Sequence, residues 1–138
     1  MNLSKNFTLE EMTHTATGKQ NVPDEADRRN LLYLCQYVLQ PIRNEVGALK
    51  VTSGYRSAIV NAAVGGSVVS QHLCGEAADV IPLNKPLDEV FKWIMKESGI
   101  PFGQCILESS WIHISLVRLD KPNNQVLIIK DGVRTAYV

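Results

Sequence analysis

Hydrophobic positions recur every three and four residues through Leu31, Leu34, Cys35, Val38, Ile42 and Val46, the spacing of one buried helix face. Pro23-Asp24-Glu25 opens this helix, the longest in the chain, and sets acidic groups at the positive end of its dipole. Pro41 is expected to kink it or begin a new turn, because proline has no N–H to donate. Gly47 supplies a C-cap. Upstream, Thr8-Leu9-Glu10-Glu11 is a capping-box pattern that starts a short helix fading by Gly18. Pro86-Leu87-Asp88 opens a further amphipathic helix, with Val90, Phe91, Ile94 and Met95 facing inward and a stop near Gly99.

Between these helices the pattern changes period. Residues 49–53 alternate as a strand does, and Gly54-Tyr55-Arg56-Ser57 breaks the alternation. Residues 58–64 form a short helix stopped by Gly65-Gly66, and residues 65–70 are loop-like. Residues 76–81 make a strand carrying Asp79, closed by Pro82. Residues 105–115 form a β-hairpin turning at Ser109-Ser110. A second hairpin joins residues 126–130 to 133–138 through Asp131-Gly132, a strong two-residue turn signal. With 138 residues and no internal repeat or linker, the chain reads as one domain over residues 1–138.

Composition narrows the function. Fourteen basic residues balance fourteen acidic ones without clustering, which argues against a nucleic-acid partner. No apolar run approaches the ~18 residues of a membrane span, and the polar N-terminal stretch lacks the apolar core of a signal peptide. The three cysteines, Cys35, Cys74 and Cys105, are odd in number and widely spaced, so they are read as free thiols rather than a disulfide framework.

Chemistry concentrates in residues 70–79, Ser-Gln-His-Leu-Cys-Gly-Glu-Ala-Ala-Asp, and in Trp111-Ile112-His113. His72, His113 and Asp79 offer two imidazoles and one carboxylate, a common protein face for a catalytic zinc with one position left for water. Cys74 lies between two of them and is a soft-ligand alternative, though the set is complete without it. His14 has no convergent partner and is read as a surface or packing histidine. If the first hairpin turns on two residues, Glu108 pairs with Trp111 and Ile106 with His113. Glu108, Trp111 and His113 then share a face, whereas a one-residue slip would turn Glu108 away. Arg56 has two readings, a fork for a substrate carboxylate or carbonyl and an ordinary ion-pair partner.

These pieces resemble the zinc peptidase family of D-alanyl-D-alanine carboxypeptidases and phage endolysins, peptidase family M15, in its short single-domain branch. The family's Ser-x-His-x-x-Gly-x-Ala-x-Asp motif matches at Ser70, His72, Gly75, Ala77 and Asp79, and its Trp-x-His motif at Trp111 and His113. Ser53-Gly54-Tyr55-Arg56-Ser57, with Asn61 and Gly65-Gly66, resembles its substrate-side segment. The resemblance covers about residues 7–117 and leaves a C-terminal hairpin, residues 118–138, as an addition. It implies an α+β fold with helices on a small antiparallel sheet, like that of hedgehog signalling domains. His72, Asp79 and His113 are then Zn²⁺ ligands, Glu108 the general base, and Arg56 a catalytic and substrate-binding residue, with Ser70 and Trp111 also at the substrate. Many members place the glutamate three residues before the last histidine, where this chain has Ser110; Glu108 lies five before it, and Glu76 is the fallback base. The implied substrate is the peptide stem of bacterial peptidoglycan, cut by a monomer that accumulates in the cytoplasm until a phage lysis system releases it, or that is carried in a virion. The rival expectation is a non-catalytic zinc-containing binding module.

Overall fold

The computed structural model describes residues 1–120 and 122–136. Its elements follow the order α1 (Leu9–Met12), α2 (Glu25–Leu34), a π-helical turn (Cys35–Leu39), α3 (Gln40–Val46), β1 (Leu49–Ser53), α4 (Ala58–Ala63), a 3₁₀ turn (Gln71–Cys74), β2 (Ala77–Pro82), α5 (Leu87–Lys96), β3 (Gln104–Leu107), β4 (Ile112–Ser115), β5 (Gln125–Lys130) and β6 (Val133–Ala136). The α+β expectation holds.

The long helix bends where its sequence cannot keep an α-helical ladder. Asp24 caps α2 through a reciprocal capping box with Asp27. Before Pro41 the ladder widens by one residue, and the Gln40 N–H donates to the Cys35 carbonyl. Proline cannot donate, so a π turn absorbs the mismatch ahead of it and α3 restarts with Pro41 in its first turn. The first helix is shorter than the pattern suggested. Thr8 caps it as expected, but it closes at Met12, whose carbonyl accepts from the Tyr55 N–H instead of continuing the helix.

The six strands form one sheet in the order β1-β2-β4-β3-β5-β6. Most pairs are antiparallel, but β5 lies parallel to β3, so the sheet is mixed rather than antiparallel throughout. The reason is the connection. β5 follows β4 in the chain but pairs with the free edge of β3, and it runs in the direction of that strand. The first hairpin turns at Ser109-Ser110 in the expected register, with Ile106 opposite His113. The Asp131-Gly132 turn joins β5 to β6 with both turn residues at positive φ, the primed hairpin geometry. The last two positions of the anticipated final strand, 137 and 138, lie outside the described residues.

One face of the sheet is apolar. Val51, Ala78, Val80, Cys105, Ile112 and Ile114 meet Leu31, Leu34, Leu39, Ile42, Phe91 and Ile94 of the helices in a single core. Cys35 and Cys105 sit in that core as free thiols. Alternation then sends Asp79, His113, Ile106 and Leu127 to the opposite face, and the pairing aligns them in one row across four strands. A β-bulge between Val51 and Ser53 shifts the parity of β1, so Ser53 joins that row opposite Asp79.

Candidate metal and active site

The row of cleft-facing residues brings the predicted ligands together. His113 sits directly opposite Asp79 in the β2–β4 ladder, and its Nδ1 lies 3.0 Å from Asp79 Oδ1. His72 arrives from the 3₁₀ turn, and its Nε2 is 3.3 Å from the same oxygen. Ser70 caps that turn by accepting from the His72 N–H, and Arg56 N–H donates to the His72 carbonyl, so the backbone around the imidazole is fixed on both sides. The second ring nitrogen of His72 lies 2.7 Å from the Gly54 carbonyl oxygen. A carbonyl only accepts, so Nδ1 carries a proton and Nε2 is the nitrogen that faces the site, where it donates to Asp79 when protonated and has a lone pair for a metal when not.

The donor atoms of His72, Asp79 and His113 all fall within 4.8 Å of one another. A tetrahedral zinc with bonds near 2.0–2.1 Å separates its ligands by about 3.3 Å, close to the spacings of Asp79 from each imidazole. The set therefore fits a small divalent metal, and a carbonyl on the far nitrogen of a ligating histidine is the usual supporting contact.

Arg56 braces the carboxylate. Its Nη2 is 3.5 Å from Asp79 Oδ2, its Nε donates to Ser53 Oγ at 2.9 Å, and its Nη1 reaches Asn61 Oδ1 at 3.3 Å. Three of its five N–H groups are thus engaged and two remain. Only 16% of this side chain is exposed. Burial alone would raise the Asp79 carboxyl, but the hydrogen bonds and charges of His113 and His72 outweigh it and hold the group far below the usual carboxylate range.

Around this centre lies a cleft of about 740 Å³, lined among others by Arg56, Ser70, Glu108, Trp111 and the three ligands. Glu108 closes the hairpin, with its N–H donating to the Trp111 carbonyl, and it points into the cleft as the two-residue turn requires. Burial, and then the Asp79 charge, push its pKa above the ordinary value, against the pull of Trp111 and the two imidazoles. The Trp111 Nε1 is buried and completes no hydrogen bond among the described residues.

The alternatives separate cleanly. Glu76 does not line the cleft; it pairs with Arg118 at 3.3 Å and accepts from the Cys74 thiol at 3.2 Å. Cys74 is therefore turned from the metal donors, and burial and Glu76 push its thiol up to about 11. His14 is exposed and remote from the cluster. Ser70 lines the cleft, but its hydroxyl caps the turn that carries His72. Three contributors escaped the sequence reading. The Gly54 carbonyl carries no side-chain signal, and Arg118 and Arg134 reach the cleft only through the crossover and final hairpin.

The α+β fold thus carries a cleft in which His72, Asp79 and His113 could hold a metal ion. A sequence model of the family Peptidase M15 matches residues 5–115, and the chain belongs to that family. No curated protein matches it.

Proposed function

We propose that this chain is a zinc-dependent hydrolase of peptide bonds in bacterial peptidoglycan stem peptides, of the D-alanyl-D-alanine carboxypeptidase or endopeptidase type. One observation carries the reading: in a Peptidase M15 chain, two imidazoles, one carboxylate and a second, unligated carboxylate converge in a single cleft. His72, Asp79 and His113 hold the zinc, which when bound supplies an acidified water and a Lewis acid for the scissile carbonyl. Glu108, on the cleft wall beside them, is the carboxylate placed to hold a proton there: it would take one from the attacking water and return it to the leaving amine. Arg56 orients Asp79 and offers its two remaining N–H groups to a substrate oxygen. Trp111 shapes the wall behind the scissile bond.

The test combines metal analysis of the purified protein with release of amines from purified peptidoglycan, with and without chelator. One zinc per chain and chelator-sensitive release support the reading, and product masses name the bond. Zinc without cleavage on several wall types would instead favour the non-catalytic zinc module, and absence of metal after zinc loading would overturn both.

A further inference from the structure

The cleft does not end where the family match ends. Its floor continues from His113 on β4 and Gln104 and Ile106 on β3 to Gln125 and Ile129 on β5 and Arg134 on β6. The parallel pairing of β5 with β3 makes this continuity possible, because Gln104 stands opposite Gln125 and their side chains bond across the junction at 3.2 Å. Ile129 stands opposite Arg134, so both project from the same face. Residues 125–136 thus add two strands of wall to a site whose ligands lie within residues 5–115.

The arginines of this cleft differ in how they are committed. Arg56 is held by Ser53, Asn61 and Asp79. Arg118 is held by Asp120 through two bonds and by Glu76 through a third. Arg134 is exposed, and among the described residues it has no hydrogen-bond or ion-pair partner. Three strand spacings separate β4 from β6, roughly 14 Å. Arg134 also lies two positions along β6 from Ala136, where the row through His113, Ile106 and Leu127 ends, so at about 3.3 Å per residue roughly five extended residues reach from the metal ligands to Arg134.

We propose that Arg134 is a specificity-determining residue, binding a carboxylate of the peptide substrate roughly five residues from the bond that is cut. The nature of the ligand rests on the hydrolase reading. The aliphatic Ile129 beside the guanidinium offers an apolar seat for the peptide, while the charge pairs with an acidic group on it. Such a contact at an exposed site is screened, and about a tenfold change in affinity is its expected size.

The experiment measures cosedimentation of zinc-loaded protein with purified cell-wall sacculi at 4 °C, untreated or with carboxyls converted to carboxamides by carbodiimide and ammonia. Arg134→Ala is compared with Lys130→Ala, which removes a charge from the same hairpin outside the cleft. The wild type and Lys130→Ala should bind untreated walls about tenfold more tightly than amidated ones, and Arg134→Ala should lose that preference. Equal preference in wild type and Arg134→Ala, no preference in the wild type, or equal loss in both variants overturns the assignment. Cleavage of the untreated walls at 37 °C is scored separately. Its absence would refute the hydrolase reading, and the binding comparison would still decide the subsite.

Discussion

The Gly54 carbonyl oxygen lies 2.7 Å from His72 Nδ1 and thereby decides which imidazole nitrogen faces the metal site. The contact depends on the absence of a side chain at Gly54, where a Cβ would come within 2.4 Å of the Met12 carbonyl oxygen. Backbone on both sides leaves little room to yield. Gly54→Ala should therefore move residue 54 away from Met12 and misalign the His72 ring. We expect a loss of about 1–3 kcal/mol in stability and a ~10–100-fold loss of zinc affinity, the usual cost of disturbing a contact behind a ligand. Thermal unfolding of the metal-free protein and competition with a chelator measure the two effects. Unchanged zinc affinity would show that the Gly54 carbonyl does not orient the ligand.

If Glu108 is the proposed base, its contributions to chemistry and to stability are opposite. Its pKa is raised in the folded protein, so the fold holds the proton more tightly than the unfolded chain does. Stability linked to this group is full below the unfolded carboxyl value and is lost as pH rises through the folded value. Glu108→Gln should therefore leave the metal-free protein slightly more stable than wild type at pH 7, by well under about 1 kcal/mol because solvent screens a partly exposed group. The same substitution should lower turnover by ~10²–10⁴-fold with zinc retained. Chemical denaturation, metal content and peptide hydrolysis check the three parts. Full activity in Glu108→Gln would remove it as the base.

Why the site was legible in sequence while part of the fold was not follows from the range of each constraint. Asp79, His113 and Glu108 depend on alternation and a two-residue turn, both local properties, and the register expected for Ile106 and His113 is the one observed. His72 was legible by residue type, as one of three histidines, but its approach from a 3₁₀ turn is announced by no periodicity. The parallel pairing of β5 with β3 was not legible, because residues 125–130 carry the same alternation whichever way they enter the sheet. The π turn before Pro41 was half visible: proline foretold a defect but not that the ladder would widen rather than break.

The thiols give a third expectation, independent of metal. Cys35 and Cys105 are pushed up to about 12 by burial, and Cys74 to about 11 by burial and by Glu76. Against an ordinary thiol near ~9, Cys74 then carries roughly 100-fold less thiolate at pH 8, and thiolate is the reactive form. Labelling of the native protein with a thiol-disulfide reagent at pH 8 should be slow at Cys74 and absent at the two core cysteines. Denaturant should release all three. Rapid native labelling of Cys74 would show that its bond to Glu76 is not maintained in solution.

Acid stability of the metal-free protein should turn on Asp79. The fold holds this carboxyl well below its ordinary value through His113 and His72, so the folded state binds its proton less readily than the unfolded chain. The sign is therefore opposite to that of Glu108. The contribution is fully present above the unfolded carboxyl value near ~4 and is lost as pH falls through the lower folded value. A paired aspartate of this kind is worth on the order of 2 kcal/mol. Asp79→Asn should unfold with a shallower pH dependence between about pH 5 and 2 than the wild type, measured by urea midpoints in metal-free buffer. The substitution also replaces an anionic metal ligand with a neutral one, so zinc should stabilise the wild type far more than the variant. A variant with the wild-type acid limb would assign that limb to other carboxylates, and the pairing of Asp79 with both imidazoles would not be the interaction that acid breaks.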